Sequence, residues 1–315
     1  MLLYYPMQLT SSPSSPLFPG FTERRLSLAD QVEMAYIDNG GGEDQPPLVL
    51  LHGIFDNKAT WFRLAAHLPG HRIIAPDLIG HGHSSKPTFA ARPVHERYSP
   101  DMQVGYLAAF IAALDLDDVI LVGNSLGGGL ALRLYLDFPA LATKVRGLVL
   151  IDAAGYPHQL PVHVRTLGSH PGKLLAHAPI HTLAQTFGLL RLATWRTFRR
   201  CFHDRGKIPP ELATVARAAL ETPNAAYAYH YSARNLIPPD IATFHQRFGD
   251  IPCPTLVLWG QQDRILPVRS AQLFAAALPR ADLHVFPSCG HAPHLEYPDE
   301  TADCIKRWIK ERDIA

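Results

Sequence analysis

The sequence predicts an α/β protein: one mostly parallel sheet with helices on both faces and an inserted helical segment. Two observations predict it. Short apolar runs recur, each bounded by Gly, Pro or Asp, with helix-like segments between them. Strands that alternate with helices argue for a parallel sheet covered on both faces. The alternation of strand and helix stops after Asp152 and resumes at Cys253.

The elements follow in order. Residues 1–20, "MLLYYPMQLTSSPSSPLFPG", begin with a short apolar stretch broken by Pro6 and preceded by no positive charge. The expectation is a flexible N-terminal arm rather than a signal peptide, and a cytoplasmic protein. Four runs then read as strands: "PLVLLHG" near Leu48, "HRIIAPD" near Ile73, "DVILVGNS" near Ile120 and "RGLVLID" near Leu148. "PTLVLWG" near Leu256 and "ADLHVFP" near Val285 add two more. Between them, "SPDMQVGYLAAFIAALDL" has helical spacing, with Ser99 or Asp101 as N-cap, and "SAQLFAAAL" and "PDETADCIKRWIKER" are similar. From 154 to 239 there are helix-like pieces and prolines, including "IHTLAQTFGLLRLATWRTFRRCF", but no strong strand. The reading is therefore a core over 21–153 and 240–315, with a helical cap or lid inserted over 154–239.

Composition narrows the function. The 315 residues carry 29 Lys and Arg against 28 Asp and Glu, a net charge of +1. No long-range field favours nucleic acid. Cys201, Cys253, Cys289 and Cys304 form no CxxC pair, so no zinc ribbon or disulfide framework is indicated. There is no G-x-x-x-x-G-K-[ST], no G-x-G-x-x-G opening a helix and no HExxH. No stretch approaches the length of a membrane-spanning helix.

Parallel sheets bind ligands at the carboxyl ends of their strands. The residues there are His52-Gly53, Asp77, Ser125, Asp152, Asp263 and His291. Ser, Asp and His in that chain order are the residue types of nucleophilic acyl transfer, in which a base activates a hydroxyl. Ser125 lies in "LVGNSLGGG", a G-x-S-x-G at a strand-to-helix junction. Such a turn holds Ser in a strained conformation with its oxygen above the sheet, and the flanking glycines let backbone pack around it.

"LLHGIFDNKATW", "IIAPDLIGHGHSS", "LVGNSLGGG", "LVLWGQQDRILP" and "FPSCGHAPHLEYPDE", in this order, resemble the α/β-hydrolase fold family, on the side of bacterial serine esterases and lipases. The resemblance covers nearly everything after Phe21. It implies Ser125 as nucleophile, His291 as general base and then acid, and Asp263 as the carboxylate that orients it. It also implies an oxyanion hole from the backbone N–H groups of Ile54 and Leu126. A small-molecule ester would be the substrate, with no cofactor and no metal. His294 competes with His291, and Asp152 with Asp263, since some members place the acid there. Asp77 reads as a loop-ordering residue, His52 as a support for the oxyanion loop, and His81 and His83 as loop residues rather than a metal pair.

Two other functions stay open beside ester cleavage: hydrolysis of carbon–carbon bonds in ring-fission products, and a non-catalytic ligand-binding role. Between Ala153 and His203 there is no Asp or Glu, whereas Arg165, Lys173, Arg191, Arg196, Arg199 and Arg200 are present. That stretch is either a solvated basic face or a lid that contacts anionic or lipid interfaces. Apolar "LAQTFGLL" and "LATW" suit either an apolar substrate channel or a helical core.

Overall fold

The computed structural model describes residues 9–13, 16–42, 45–175 and 189–314. Among the described residues nine strands form one sheet: β1 (Leu9–Pro13), β2 (Thr22–Ser27), β3 (Glu33–Asp38), β4 (Leu48–Leu51), β5 (Ile73–Pro76), β6 (Val119–Asn124), β7 (Val145–Ile151), β8 (Thr255–Gly260) and β9 (Ala281–Phe286). Their order is β1-β2-β3-β5-β4-β6-β7-β8-β9. Pairing is antiparallel from β1 through β3 to β5, and parallel from β5 through β4 to β9. This is the mostly parallel sheet with helices on both faces that the sequence predicts.

The six apolar runs are the six parallel strands. In β4 and β6 every residue is buried, because helices cover both faces. Side chains alternate across the sheet. Val119 and Leu121 join an apolar layer with Leu107 and Phe110 of helix α2 (Pro100–Ala113) and Leu130 and Leu134 of α3 (Leu126–Asp137). Ile120 and Val122 face the other layer, with Leu64 of α1 (Phe62–Ala66) and Ile305 and Trp308 of the C-terminal helix Pro298–Glu311. Of the two candidate caps for α2, Ser99 is the one used. Its hydroxyl accepts the Met102 N–H at 3.2 Å, and Pro100 takes the first helical position.

The antiparallel strands were not foreseen. "TERRLS" and "EMAYID" contain no continuous apolar run, and β2 is mostly half-buried. Part of the arm expected over residues 1–20 also differs from expectation. Leu9–Pro13 pairs with Thr22–Ser27, Leu9 opposite Leu26, as an edge strand. Its backbone groups find partners in β2, which a free arm would lack. Residues 1–8, 14 and 15 lie outside the described residues.

Between β7 and β8 the described residues are helical, including Val162–Gly168, Leu189–Cys201, Pro210–Leu220 and Ala225–Arg234. Phe202, Ile208 and Leu212 join the second apolar layer, so this segment is packed onto the sheet domain. Residues 183–188 of the expected channel stretch lie outside the described residues. Trp195 packs against the second layer. Among the described residues no helix is long and apolar enough to cross a membrane.

Candidate active site

The chain leaves β4 toward β5 on one side and β6 on the other, so the carboxyl ends of β4 and β6 flank a topological switch point. Leu51 is in register with Gly123, which brings the residues after β4 beside the residues after β6.

Ser125 ends β6 with φ 54 and ψ −117. A non-glycine residue in such a conformation stores about 1–3 kcal/mol and persists only where its surroundings over-determine it. Here they do. The Ser125 N–H donates to the Ile151 carbonyl at 3.0 Å. Its own carbonyl accepts from Gly128, Gly129 and Ala154 at 3.1, 3.3 and 2.9 Å. A Cβ on Gly123 would overlap the Gly127–Gly128 backbone, and one on Gly127 would overlap the Leu51 carbonyl. The motif's two glycines are therefore required by close packing of the first turn of α3 against the ends of β6 and β4.

The loop after β4 carries Gly53 and Ile54. His52 is fully buried, and its Nε2 accepts the Leu78 N–H at 2.9 Å. Nδ1 therefore bears the proton and donates to the Gly53 carbonyl at 2.7 Å. Burial holds this imidazole neutral, with its pKa lowered to about 4. In a trans peptide the C=O and N–H point in opposite directions. Pinning the Gly53 carbonyl thus turns the Ile54 N–H away from the His52 ring, and Ile54 lines one cavity with Ser125. Leu126 opens α3, and the first N–H groups of a helix have no intrahelical acceptor.

Asp263 and His291 follow β8 and β9. Asp263 Oδ1 accepts the Ile265 and Leu266 N–H groups at 2.7 and 3.0 Å, and Oδ2 bonds His291 Nδ1 at 2.7 Å. The His291 backbone is held on both sides. Its N–H donates to the Cys201 carbonyl at 2.6 Å, and its carbonyl accepts from Asn124 Nδ2 at 3.2 Å. With Nδ1–H bound to Asp263, Nε2 is left as the basic nitrogen, and His291 lines the cavity that holds Ser125.

The competing residues have other surroundings. His294 is buried against the Trp61 ring at 4.6 Å, with Nε2 at 3.0 Å from the Thr60 hydroxyl. Burial lowers its pKa to about 3. Asp77 accepts the Lys58 N–H, Lys58 Nζ and the His83 N–H at 2.7, 2.6 and 2.7 Å. Burial opposes its charge, but Lys58 wins, and its pKa lies at about 2. The His81 ring packs between His52 and Tyr229, while His83 pairs with Glu23 at 2.7 Å. Asp152 lies beside Asp263: one oxygen of each and one His291 nitrogen fall within 4.8 Å of one another.

Sequence reasoning missed four residues here. Asn124 and Cys201 fix the His291 backbone, and only adjacency to Ser125 signals the first. Buried Glu296 accepts the N–H groups of His203, Asp204 and Gly290 at 3.1, 2.7 and 2.8 Å. Asp56, just past the Ile54 turn, lines the cavity. Burial raises its pKa to about 6, against hydrogen bonds from the Asn57 N–H and Thr60. The rest of the lining is largely apolar, with Val164, Phe198, Phe202, Ile237 and Phe244 among it. The arginine of the described lining, Arg133, is ion-paired with Asp101 at 3.1 Å, Asp137 at 3.8 Å and Asp240.

A family model described as alpha/beta hydrolase fold matches residues 46–298. The chain is 29% identical over 298 residues to a 2-hydroxymuconate semialdehyde hydrolase of Pseudomonas putida, covering 92% of each chain. It is 28% identical over 287 residues to Lipase 1 of Psychrobacter immobilis, covering 90% of this chain and 82% of the lipase. Among solved structures it is similar to a bacterial membrane phospholipase A, with TM-score 0.72 and 28% identity over 94% of this chain and 88% of that one.

Proposed function

This chain belongs to the alpha/beta hydrolase fold family, and from that premise we propose that it is a serine hydrolase that cleaves carboxylic esters with apolar acyl groups through an acyl-enzyme on Ser125. His291 Nε2 takes the Ser125 proton as Oγ attacks the ester carbonyl. The oxyanion is held by the N–H groups of Ile54 and Leu126, each worth about 3–4 kcal/mol if it matches measured oxyanion donors. His291 then returns the proton to the departing alcohol. Water, activated by the same nitrogen, releases the acid. Asp263 keeps the imidazole in the Nδ1–H tautomer and stabilises the imidazolium. The segment between β7 and β8 acts as a cap whose apolar side chains receive the acyl chain.

The observation that carries ester cleavage over carbon–carbon cleavage is the charge of the cavity. Hydroxymuconate semialdehyde is a carboxylate. Above about pH 6 the cavity presents the Asp56 carboxylate, and its Arg133 is already surrounded by three aspartates. A dienoate would meet net negative charge, whereas a neutral ester would not. Similarity to the Pseudomonas putida hydrolase favours the second reading, hydrolysis of ring-fission products.

One experiment separates the two. Turnover is measured on p-nitrophenyl esters of increasing acyl length and on a 2-hydroxy-6-oxo-dienoate, with Ser125→Ala as control. Ester turnover that disappears in the control, at a kcat/KM well above that on the dienoate, is expected. Preference for the dienoate would replace the proposal with the second reading. Absence of turnover on both would indicate a binding role.

A further inference from the structure

Asp152 has no role in the chemistry above, yet it is one of the most constrained residues of the site. It follows β7 in the left-handed region, with φ 43, and has no exposed surface. Its N–H donates to the Leu258 carbonyl at 3.0 Å, and its Oδ1 accepts the Gly260 N–H at 2.9 Å. Its Oδ2 is buried with no ordinary donor near it, and Asp263 lies next to it. Two ionised carboxylates this close, away from water, repel strongly, so a pair of this kind shares one proton.

We propose that Asp152 carries the proton of this pair and donates it as a hydrogen bond to Asp263, acting as a positioning residue for the His291–Asp263 couple. The inference rests on His291 as the base of the proposed reaction. The donors decide which carboxyl keeps the proton. Asp263 already accepts two backbone N–H groups and His291 Nδ1–H, whereas Asp152 accepts one N–H. An ionised carboxylate has about four lone-pair positions, and the Asp152 O–H would fill the fourth on Asp263. His291 faces the pair and donates to Asp263, and the other titratable groups facing Asp152 among the described residues bring no cation. Glu296 is a carboxylate, and burial pushes the Cys201 and Cys289 thiols upward. Burial first, and the charge of Asp263 second, push the Asp152 carboxyl well above the ordinary carboxylate range. With this fourth bond every acceptor position of the Asp263 carboxylate is fixed, so the carboxylate stays in place to accept His291 Nδ1–H, and Nε2 stays free to act.

The test uses Asp152→Asn, whose amide can accept from Gly260 and donate to Asp263 and which tolerates the left-handed backbone, beside Asp152→Ala, whose side chain can make neither bond. Infrared difference spectra at neutral pH should show a protonated-carboxyl C=O stretch in the native protein and in Ser125→Ala, and the band should vanish in Asp152→Asn. In kcat/KM pH profiles on a p-nitrophenyl ester, Asp152→Asn should leave the acidic limb within about 0.3 unit, because no charge is lost. Asp152→Ala should lower kcat about tenfold or more with KM little changed, the signature of an interaction that matters in the transition state. Absence of the infrared band, or an acidic limb that falls by about one unit or more in Asp152→Asn, would mean that Asp152 is ionised and would overturn the proposal. The infrared result needs no turnover, so it decides the protonation even if the ester reading fails.

Discussion

The N–H of His291 is bonded to the Cys201 carbonyl at 2.6 Å, so the loop that presents the imidazole is tied to the last residue of the helix Leu189–Cys201. Glu296 extends this tie by holding Gly290 on one side and His203 and Asp204 on the other. Glu296→Ala would leave three N–H groups without their acceptor, two of them on the helical segment. Lost hydrogen bonds to a charged group cost about 1.5–3 kcal/mol each, and partial hydration would return some of that. The variant should lose about 3 kcal/mol in urea unfolding, with Glu296→Gln losing less. A loss below about 1 kcal/mol in Glu296→Ala would show that the clamp does not hold the two parts together.

The strain at Ser125 predicts a separation of activity from stability. Alanine keeps a Cβ and so keeps the unfavourable φ of 54. Glycine adopts that conformation freely. Ser125→Gly should therefore raise stability by about 1 kcal/mol over Ser125→Ala, while neither turns over ester. Equal stabilities in thermal and urea unfolding would show that the elbow is not strained.

How much of this was legible in the sequence follows from what local pattern encodes. Ser125, Asp263 and His291 could be shortlisted with His52, Asp77 and Asp152 because each follows an apolar run and strand ends in a parallel sheet converge, and the resemblance of the flanking motifs chose among them. The strands β2 and β3 could not be read, because "TERRLS" and "EMAYID" carry charged residues and no continuous apolar run, although β3 is buried at every residue after Glu33. The closeness of Asp152 to Asp263 depends on β7 lying beside β8, with Ile151 in register with Leu258 across the long helical segment. Glu296, at the end of the one-turn helix Pro293–Glu296, and Asp56, in the loop after β4, depend on tertiary burial of segments too short to show a periodicity.

The basic segment gives a test of lipid contact, which we propose for the surface around the cap. Arg165, Lys173, Arg196, Arg199 and Arg200 are exposed, and Val162 and Leu174 are 62% and 59% exposed on the same segment. Basic residues near an anionic bilayer contribute about 1 kcal/mol each. Binding to phosphatidylserine vesicles, measured by co-sedimentation, should weaken about a hundredfold in Arg196→Glu/Arg199→Glu/Arg200→Glu and fall with added salt. Binding that is absent in the native protein, or unchanged in the variant, would leave a solvated face.

Asp56 predicts a pH dependence of stability whose sign can be worked out. Its pKa rises from 3.8 to about 6 because burial disfavours the charged form. The folded protein then holds this proton more tightly than the unfolded chain. The resulting stabilisation is fully present below about pH 3.8 and is lost as pH rises through about 6. Asp56→Asn has no proton to lose, so relative to the native protein it should gain about 2 kcal/mol of stability between about pH 4 and pH 8. Urea unfolding at the two pH values measures the difference. A gap between variant and native protein that does not change with pH would mean that Asp56 titrates normally. The negative charge argued to keep dienoates out of the cavity would then be solvated, and the case for neutral esters would lose its main support.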